Sequence, residues 1–524
     1  MAFYGPLKDV NTTDIVEAIR LGCQTMQSVF NADDNDIPFF SSAVRPEARL
    51  AFSGAHSESH IPGRHLNALL NAEAAAGIEI DESAINKHAN AAYFSFSGSL
   101  PVPLNREKLD GPLVYYRTHN LREGVHALYA LVAYRQDERA HELAERCIAS
   151  IFELWSPDSG WDAEACKSKY GLEPDERTLT SGLARIIGPL VKYYRACQSP
   201  AALELALIIK ERLLLDTFIE DGSYDRDIHG AHTHSTTCVM SSLAQLAELT
   251  QDTALFARVK AFYDNGLKDI SDELGWVIES SRDDQPERSL DRGEVNNTGD
   301  IVETALILGR HGYPEYFEDA ERIVRSHILP SQLRDIDFIV EPANPDNIDG
   351  LRNVAQRHQG AFGFPAPYGH EPIGWERVGF NMDIVGGAVG SLCEVYRDVT
   401  RFSETGHHVN LLFDHETEHI KVESAYTSDR SSVTLKQPGP LWIRIPGWVD
   451  AEQLVSSIPN AQRTGHRVFL RDQPVNQRLE LQYELASRDI TLHHRARDIR
   501  VRLRGDAVAA MDNFGADLTF FPGL

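Results

Sequence analysis

The spacing of apolar positions changes character once along this chain. Up to about residue 400, apolar side chains recur every three or four positions, the period of an amphipathic helix. Beyond about residue 404 they alternate with polar ones, the period of a strand with one buried face. The stretch "HNLREGVHALYALVAYRQDERAHELAERCIASIFELW" illustrates the first regime. Leu121, Val125, Leu128, Leu131 and Val132 form one stripe, Gln136 and Asp137 turn the chain, and a second helix returns. The pattern predicts helices near 12–30, 62–77, 84–97, 120–136, 139–155, 179–197, 200–214, 234–250, 253–268, 298–311, 315–329 and 383–400. Many are adjacent pairs with short turns. Six successive hairpins give a mainly α fold, an (α/α)6 toroid or six-hairpin barrel over residues 1–403, whose helix ends and loops surround a central pocket. A solenoid of short repeats would need a fixed period, and the uneven loops argue against one. The stretches "HHVNLLF", "HIKVESAY", "SSVTLKQ", "LWIRIPGWV", "RVFLR", "RLELQYEL" and "IRVRLRG" predict a C-terminal β-sandwich over 404–524, joined by a packed boundary.

Composition narrows the classes. A net charge of −26 over 524 residues repels nucleic acid and anionic membranes on average, while leaving a local basic pocket open. The six cysteines form no CxxC, which fits reduced thiols in a cytoplasmic protein. No apolar run is long enough for a membrane span, and the N-terminal stretch lacks the pattern of a secretory signal. An oligosaccharide is the expected partner, with neither nucleic acid nor membrane; a homodimer is compatible with the sequence.

Three polar clusters are candidates for chemistry. "GWVIESSRDDQPERSLDRGEVNNTGD" holds Glu279 and Glu294 at the ordered ends of a charged loop, with Asp300 beyond. Paired carboxyl groups divide acid and base work at a glycosidic bond when their surroundings separate their pKa values. Arg282, Arg288 and Arg292 are suited to a substrate anion, and the same loop also fits exposed ion pairs. "RDIHGAHTHSTTCVM" places His232 and His234 at a loop–helix junction, better suited to sugar hydroxyls or capping than to zinc. "FPAPYGHEPIGWERVGFNMD" offers Tyr368, His370 and Trp375 for sugar stacking, with Glu371, Glu376 and Arg377 alongside. Arg64 and His119 sit at helix starts, which in a toroid face the pocket. Nucleotide, zincin and serine-hydrolase motifs are absent from any persuasive context.

Two of these stretches carry a resemblance. "GEVNNTGDIVETALILGRHGYPEYFEDAERIVRSHILPSQL" and "DIVGGAVGSLCEVYRDV", the latter leading into "HHVNLLF", resemble segments of glycoside hydrolase family 127, the β-L-arabinofuranosidase-like group. "LWIRIPGW" resembles one of its sandwich strands. The resemblance implies a general acid at or near Glu279 and a zinc-binding glutamate at Glu294. It also implies three zinc-binding cysteines, one of them the nucleophile, but Asn296, Gly386 and Gly387 stand in their places. Two glycines in the first turn of a helix weaken it by roughly 1 kcal/mol each, and the lost thiolates leave space there for a larger sugar or a carboxylate. Glycoside hydrolase family 154, acting on β-glucuronides, and unsaturated glucuronyl hydrolases resemble the same architecture.

The expectation is therefore an exo-acting glycosidase without metal or cofactor, acting on a uronate-containing oligosaccharide. Glu279 protonates the leaving oxygen, and Glu294 activates water or stabilises positive charge. His232, His234, Arg292, Asp300, Tyr368, His370, Trp375, His119 and Arg64 hold the sugar. The alternatives are a polysaccharide lyase and a non-catalytic carbohydrate-binding protein.

Overall fold

The computed structural model describes residues 3–281, 291–375, 377–494 and 497–524. Arg282, Arg288 and Glu376 lie outside these. Among the described residues, twelve helices build the ring, with shorter ones in its loops: α1 Ile15–Gln27, α2 Ile61–Ala76, α3 Glu82–Ser95, α4 Leu121–Arg135, α5 Glu138–Leu154, α6 Ile187–Cys197, α7 Pro200–Asp216, α8 Thr233–Thr250, α9 Thr253–Asp264, α10 Val295–Arg310, α11 Tyr316–Ile323 and α12 Met382–Val399. The even-numbered helices pack in sequence, α2 on α4, on α6, on α8, on α10, on α12, and α12 closes the ring on α2. The odd-numbered helices pack outside: α1 against α12 and α2, α3 against α2 and α4, α5 against α4, α7 against α6, α9 against α8 and α11 against α10. This is the closed toroid that the apolar spacing predicts.

Local sequence explains each hairpin. Gln136, at φ 54°, ends α4 with its N–H on the carbonyls of Leu131 and Val132. Asp137 then caps α5 by accepting from Ala140 N–H. Such caps recur outside the ring. Asp14, Asp81, Ser199 and Asp252 accept in the same way at α1, α3, α7 and α9. None of the six inner helices has a side-chain cap. Their first N–H groups are therefore left to face whatever lies at that end of the ring.

The apolar stripes meet in one continuous core; Leu128 on α4, Val191 on α6, Leu243 on α8 and Val302 on α10 are fully buried. Each such side chain stabilises the ring by about 1.5–3 kcal/mol relative to exposure.

Short strands decorate the loops of the ring, and the C-terminal run of strands begins directly at the end of α12. β1 Thr400–Ser403, β2 Gly406–Val409, β3 His415–Glu416, β4 Ile420–Glu423, β5 Ser431–Leu435, β6 Leu441–Arg444, β7 Gln462–Thr464, β8 Arg467–Leu470 and β9 Arg478–Leu481 form two sheets. Their orders are β1-β2-β6-β8-β7 and β3-β4-β5-β9. Val409, Val422, Val433, Leu435, Ile443 and Val468 fill the space between them, so the sandwich is present. The joint to the ring is packed: Glu321 on α11 accepts from Arg325 Nε at 2.9 Å and from Leu412 N–H at 2.9 Å, and pairs with Arg444.

"IRVRLRG" departs from the expectation. It forms β11 (Asp498–Arg504) between β10 (Ser487–His493) and β12 (Ala507–Met511), in a third sheet. Its buried residues Ile499, Val501 and Leu503 pack on Leu274, Ala366, Tyr368 and Phe520 rather than inside the sandwich. Alternation shows that a strand has one buried face, but not which neighbour covers it. Among the described residues, no helix is long and apolar enough to cross a membrane.

Candidate active site

The uncapped ends of the inner helices converge on a cavity of about 500 Å³. Each supplies polar groups from its first turn or the residues just before it: His60 at α2, His119 at α4, Ser181 ahead of α6, His232 and His234 at α8, Glu294 at α10, and Asn381 and Asp383 at α12. Six helix N-termini aimed at one space favour negative charge there.

The two expected carboxyl groups both reach this cavity, and backbone register explains why. Ile278 bridges Gly293 in antiparallel fashion. Glu279 N–H donates to the Arg292 carbonyl, and Glu294 N–H to that of Val277. Glu279 therefore sits opposite Arg292, and Glu294, two residues on, shares the face. Arg292 forms an ion pair with Glu279 and lies over the ring of Phe364, its guanidinium carbon 3.7 Å from the centroid.

The surroundings shift Glu294 and Asp383 in opposite directions. Burial, with the nearby charge of Asp383, pushes the Glu294 carboxyl up to about 7. Its Oε1 takes the Asn296 amide at 2.9 Å and lies 3.4 Å from His234 Nδ1. Arg64 Nη2 donates to His234 Nε2 at 2.9 Å, so Nδ1 carries that ring's proton, on the side of Glu294. With donors converging on Oε1, Oε2 is the oxygen free to hold Glu294's own proton. Burial opposes charge on Asp383 as well, but the hydrogen bond from His60 and the charges of His60 and Arg64 hold it below the usual carboxylate range. His60 Nε2 lies 3.2 Å from Asp383 Oδ2, and the Asn296 amide donates to that same oxygen at 3.4 Å.

A buried ionic layer supports this floor. Glu123 receives Arg185 at 3.0 Å, Arg122 at 3.1 Å and Arg64 at 3.4 Å. Against complete burial, these arginines and His60 hold Glu123 well below the ordinary carboxylate range.

Other expected sugar contacts fall elsewhere. Arg64 and Asp300 lie beneath the floor, where Arg64 braces His234 and Asp300 accepts the Thr237 hydroxyl at 3.0 Å. Arg292 acts through Glu279 rather than lining the cavity. Tyr368 is buried in the packing of the third sheet, its hydroxyl donating to Asp291 at 3.0 Å. His370 packs edge-on against Phe380 and Phe520, and its backbone N–H donates to the Leu518 carbonyl at 3.0 Å. The chain's last strands thus draw this loop away from the cavity. Trp375 sits beside Arg292, the guanidinium carbon 5.0 Å from its ring centroid, and does not line the cavity. His119 does line it, stacked on His60 with centroids 5.7 Å apart, as do His232 and His234.

The cavity also contains Asp383, His56, Arg117 and Arg177. In the sequence Asp383 reads as a helix cap. The usable signal is positional: it is the second residue of an inner helix, like His234 on α8.

The space expected where thiolates are missing is filled. A β-carbon on Gly386 would lie 2.7 Å from the Arg64 carbonyl oxygen, and one on Gly387 would overlap Asn296 Oδ1. These glycines allow α12 to approach α2 and Asn296 closely; they do not open a hole. Asn296, Gly386 and Gly387 offer no set of zinc ligands. His232, His234 and Glu294 do bring three ligand-type atoms within 4.8 Å of one another. A cation on His234 Nδ1 would move that ring's proton to Nε2, against the Arg64 guanidinium. The residues present therefore do not fit a zinc ion.

No family model matches the sequence, and no curated protein does. Solved structures are similar over almost the whole chain. A glycoside hydrolase family 127 β-L-arabinofuranosidase from Geobacillus stearothermophilus T6 is 14% identical over 95% of this chain and 80% of its own, with a TM-score of 0.55. Another family 127 β-arabinofuranosidase is 13% identical over 96% and 84%, with a TM-score of 0.57. A sugar epimerase from a ruminal bacterium is 13% identical over 74% of this chain and all of its own, with a TM-score of 0.51. At these identities the likeness is one of fold: this chain shares the six-hairpin α/α toroid of these carbohydrate-active enzymes.

Proposed function

We propose that this chain is an exo-acting glycoside hydrolase that cleaves a uronate-ended oligosaccharide by carboxyl chemistry, without zinc. One observation carries the reading: Glu294, poised near 7, and the ionised Asp383 share a single Asn296 amide at one cavity. Glycosidic cleavage needs a proton for the leaving oxygen and negative charge facing the anomeric carbon. Glu294 is suited to supply the proton. That reverses the roles expected from the sequence for Glu279 and Glu294, because Glu279 is engaged by the Arg292 guanidinium. A pocket closed below by the Glu123 layer suits the end of a chain. Arg117 and the exposed Arg177, on its wall, suit a substrate carboxylate.

The test is a panel of aryl glycosides and uronate oligosaccharides in ¹⁸O-labelled water. Label at the anomeric carbon supports hydrolysis; cleavage without it rejects the reading.

A second reading has its own support. Burial, reinforced by neighbouring charges, lowers His56, His119, His232 and His234 well below their ordinary value, leaving neutral bases at the cavity. Such bases suit removal of a proton from carbon, as in a lyase or an epimerase. Deuterium uptake from heavy water into a sugar C–H position would favour that chemistry over hydrolysis.

A further inference from the structure

Among the described residues, four that bear carboxyl groups line the cavity: Asp175, Glu279, Glu294 and Asp383. Three are engaged in ways that disqualify them from attacking carbon. Asp175 takes the Tyr115 hydroxyl at 2.8 Å and lies 3.9 Å from Arg117 Nε. Glu279 is paired with Arg292. Glu294 is the proton donor of the reading above. Asp383 differs. Its Oδ2 has His60 and Asn296, but its buried Oδ1 has no hydrogen-bond partner among the described residues. An uncommitted oxygen on a buried carboxylate is costly unless the site's function uses it.

Spacing narrows the role further. Asn296 Nδ2 lies 2.9 Å from Glu294 Oε1 and 3.4 Å from Asp383 Oδ2, so those two oxygens are at most about 6.3 Å apart. One amide thus holds the two carboxyl groups as neighbours on the cavity floor, the arrangement that direct attack by one carboxylate requires. Asp383 also stands in the first turn of α12, whose N-terminus has no side-chain cap and stabilises negative charge.

We propose that Asp383 is the nucleophile of this site, forming a covalent glycosyl ester. The proposal rests on the glycosidase reading. In the first half-reaction a carboxylate oxygen of Asp383 bonds to the anomeric carbon as the glycosidic C–O bond breaks. The electron pair of that bond goes to the leaving oxygen, which takes the proton of Glu294. In the second half, water bonds to the anomeric carbon and gives a proton to the Glu294 carboxylate. The ester C–O pair returns to Asp383. Both groups are restored, and the sugar keeps its anomeric configuration.

The experiment uses the full chain with two 2-deoxy-2-fluoro glycosyl fluorides, one uronosyl and one neutral. The expected result is a single sugar adduct on the peptide bearing Asp383, found by mass spectrometry, with retained configuration of the product of an ordinary aryl glycoside by NMR. Asp383→Asn should lose at least ~10³-fold in kcat while unfolding at the wild-type temperature. Azide should restore aryl-glycoside turnover to Asp383→Gly, which a residue serving only to orient His60 would not permit. An adduct on Glu279, an inverted product, or Asp383→Asn turnover within tenfold of wild type would overturn the assignment while leaving a glycosidase. A wild-type chain that hydrolyses no glycoside would overturn the reading beneath it.

Discussion

The ring of inner helices has two ends, and they treat charge differently. At the N-terminal end, six helix starts without side-chain caps meet carboxylates and histidines, and the buried Asp383 Oδ1 has no hydrogen-bond partner among the described residues. At the C-terminal end lies a smaller cavity of about 340 Å³, lined by Lys192, Arg195, Glu248, Arg310, Glu394 and Arg397. There the pairing is nearly complete. Glu248 receives Arg310 at 2.8 Å and Arg195 at 2.9 Å, and Glu394 receives Arg397 at 2.9 Å. Cations beside helix C-termini match the helix dipole. The same twelve helices thus give one end whose charges satisfy one another and one end whose charges await a ligand.

The largest expected difference separates the ends directly. Glu294→Gln should cost about 10²–10⁴-fold in kcat with little change in unfolding temperature. Glu248→Gln should leave kcat/KM within about twofold and cost roughly 1–3 kcal/mol of stability, measured by denaturant unfolding. Equal losses of activity in the two variants would remove the distinction.

Next in size is a packing test at the first end. Gly387→Ala should destabilise by about 1–3 kcal/mol through its overlap with Asn296. Adding Asn296→Ala should recover a good part of that loss, and additive losses in the double-mutant cycle would contradict the close contact.

Titration gives a smaller, signed effect. Burial raises Asp300 to about 7. Between about pH 4 and about pH 7, the folded chain keeps a proton that the unfolded chain has shed. The stability Asp300 contributes is complete below this window and falls as pH rises through it. The melting temperature of Asp300→Asn, relative to wild type, should therefore rise by a few °C, roughly, from pH ~4 to pH ~8. Activity should also decline above about pH 7 as Glu294 loses its proton.

The smallest effect concerns specificity. Arg177→Ala should raise KM a few-fold for uronosides and leave neutral glycosides unchanged, since an exposed guanidinium is screened by water.

Much of the scaffold was legible because helices and strands advertise themselves locally. The twelve periodic segments appear as α1 to α12, and the alternating runs from "HHVNLLF" to "RLELQYEL" appear in the two sandwich sheets. Glu294, His119, His232 and His234 were legible because helix starts of a toroid face its centre, whereas Glu279 reaches the cavity through the bridge of Ile278 to Gly293. Tyr368 and His370 were not, because the strands that claim them lie more than a hundred residues further along. Arg64 and Asp300 lie more than a helical turn beyond His60 and Glu294, enough to put them behind His234 instead of beside a sugar. Asp383 was hidden by a simpler local explanation, helix capping, that no ring-wide contact was available to challenge.

The close fit of Gly387 against Asn296 also constrains how this chain can change. A thiol introduced at Gly387 has nowhere to go until Asn296 shrinks, and shrinking Asn296 first unties the amide that bridges Glu294 and Asp383. Single-residue steps toward a sulfur-ligated centre therefore pass through a misfolding or a disabled intermediate. The site behaves as an evolutionary ratchet, easier to refine around its carboxylates than to rebuild around sulfur.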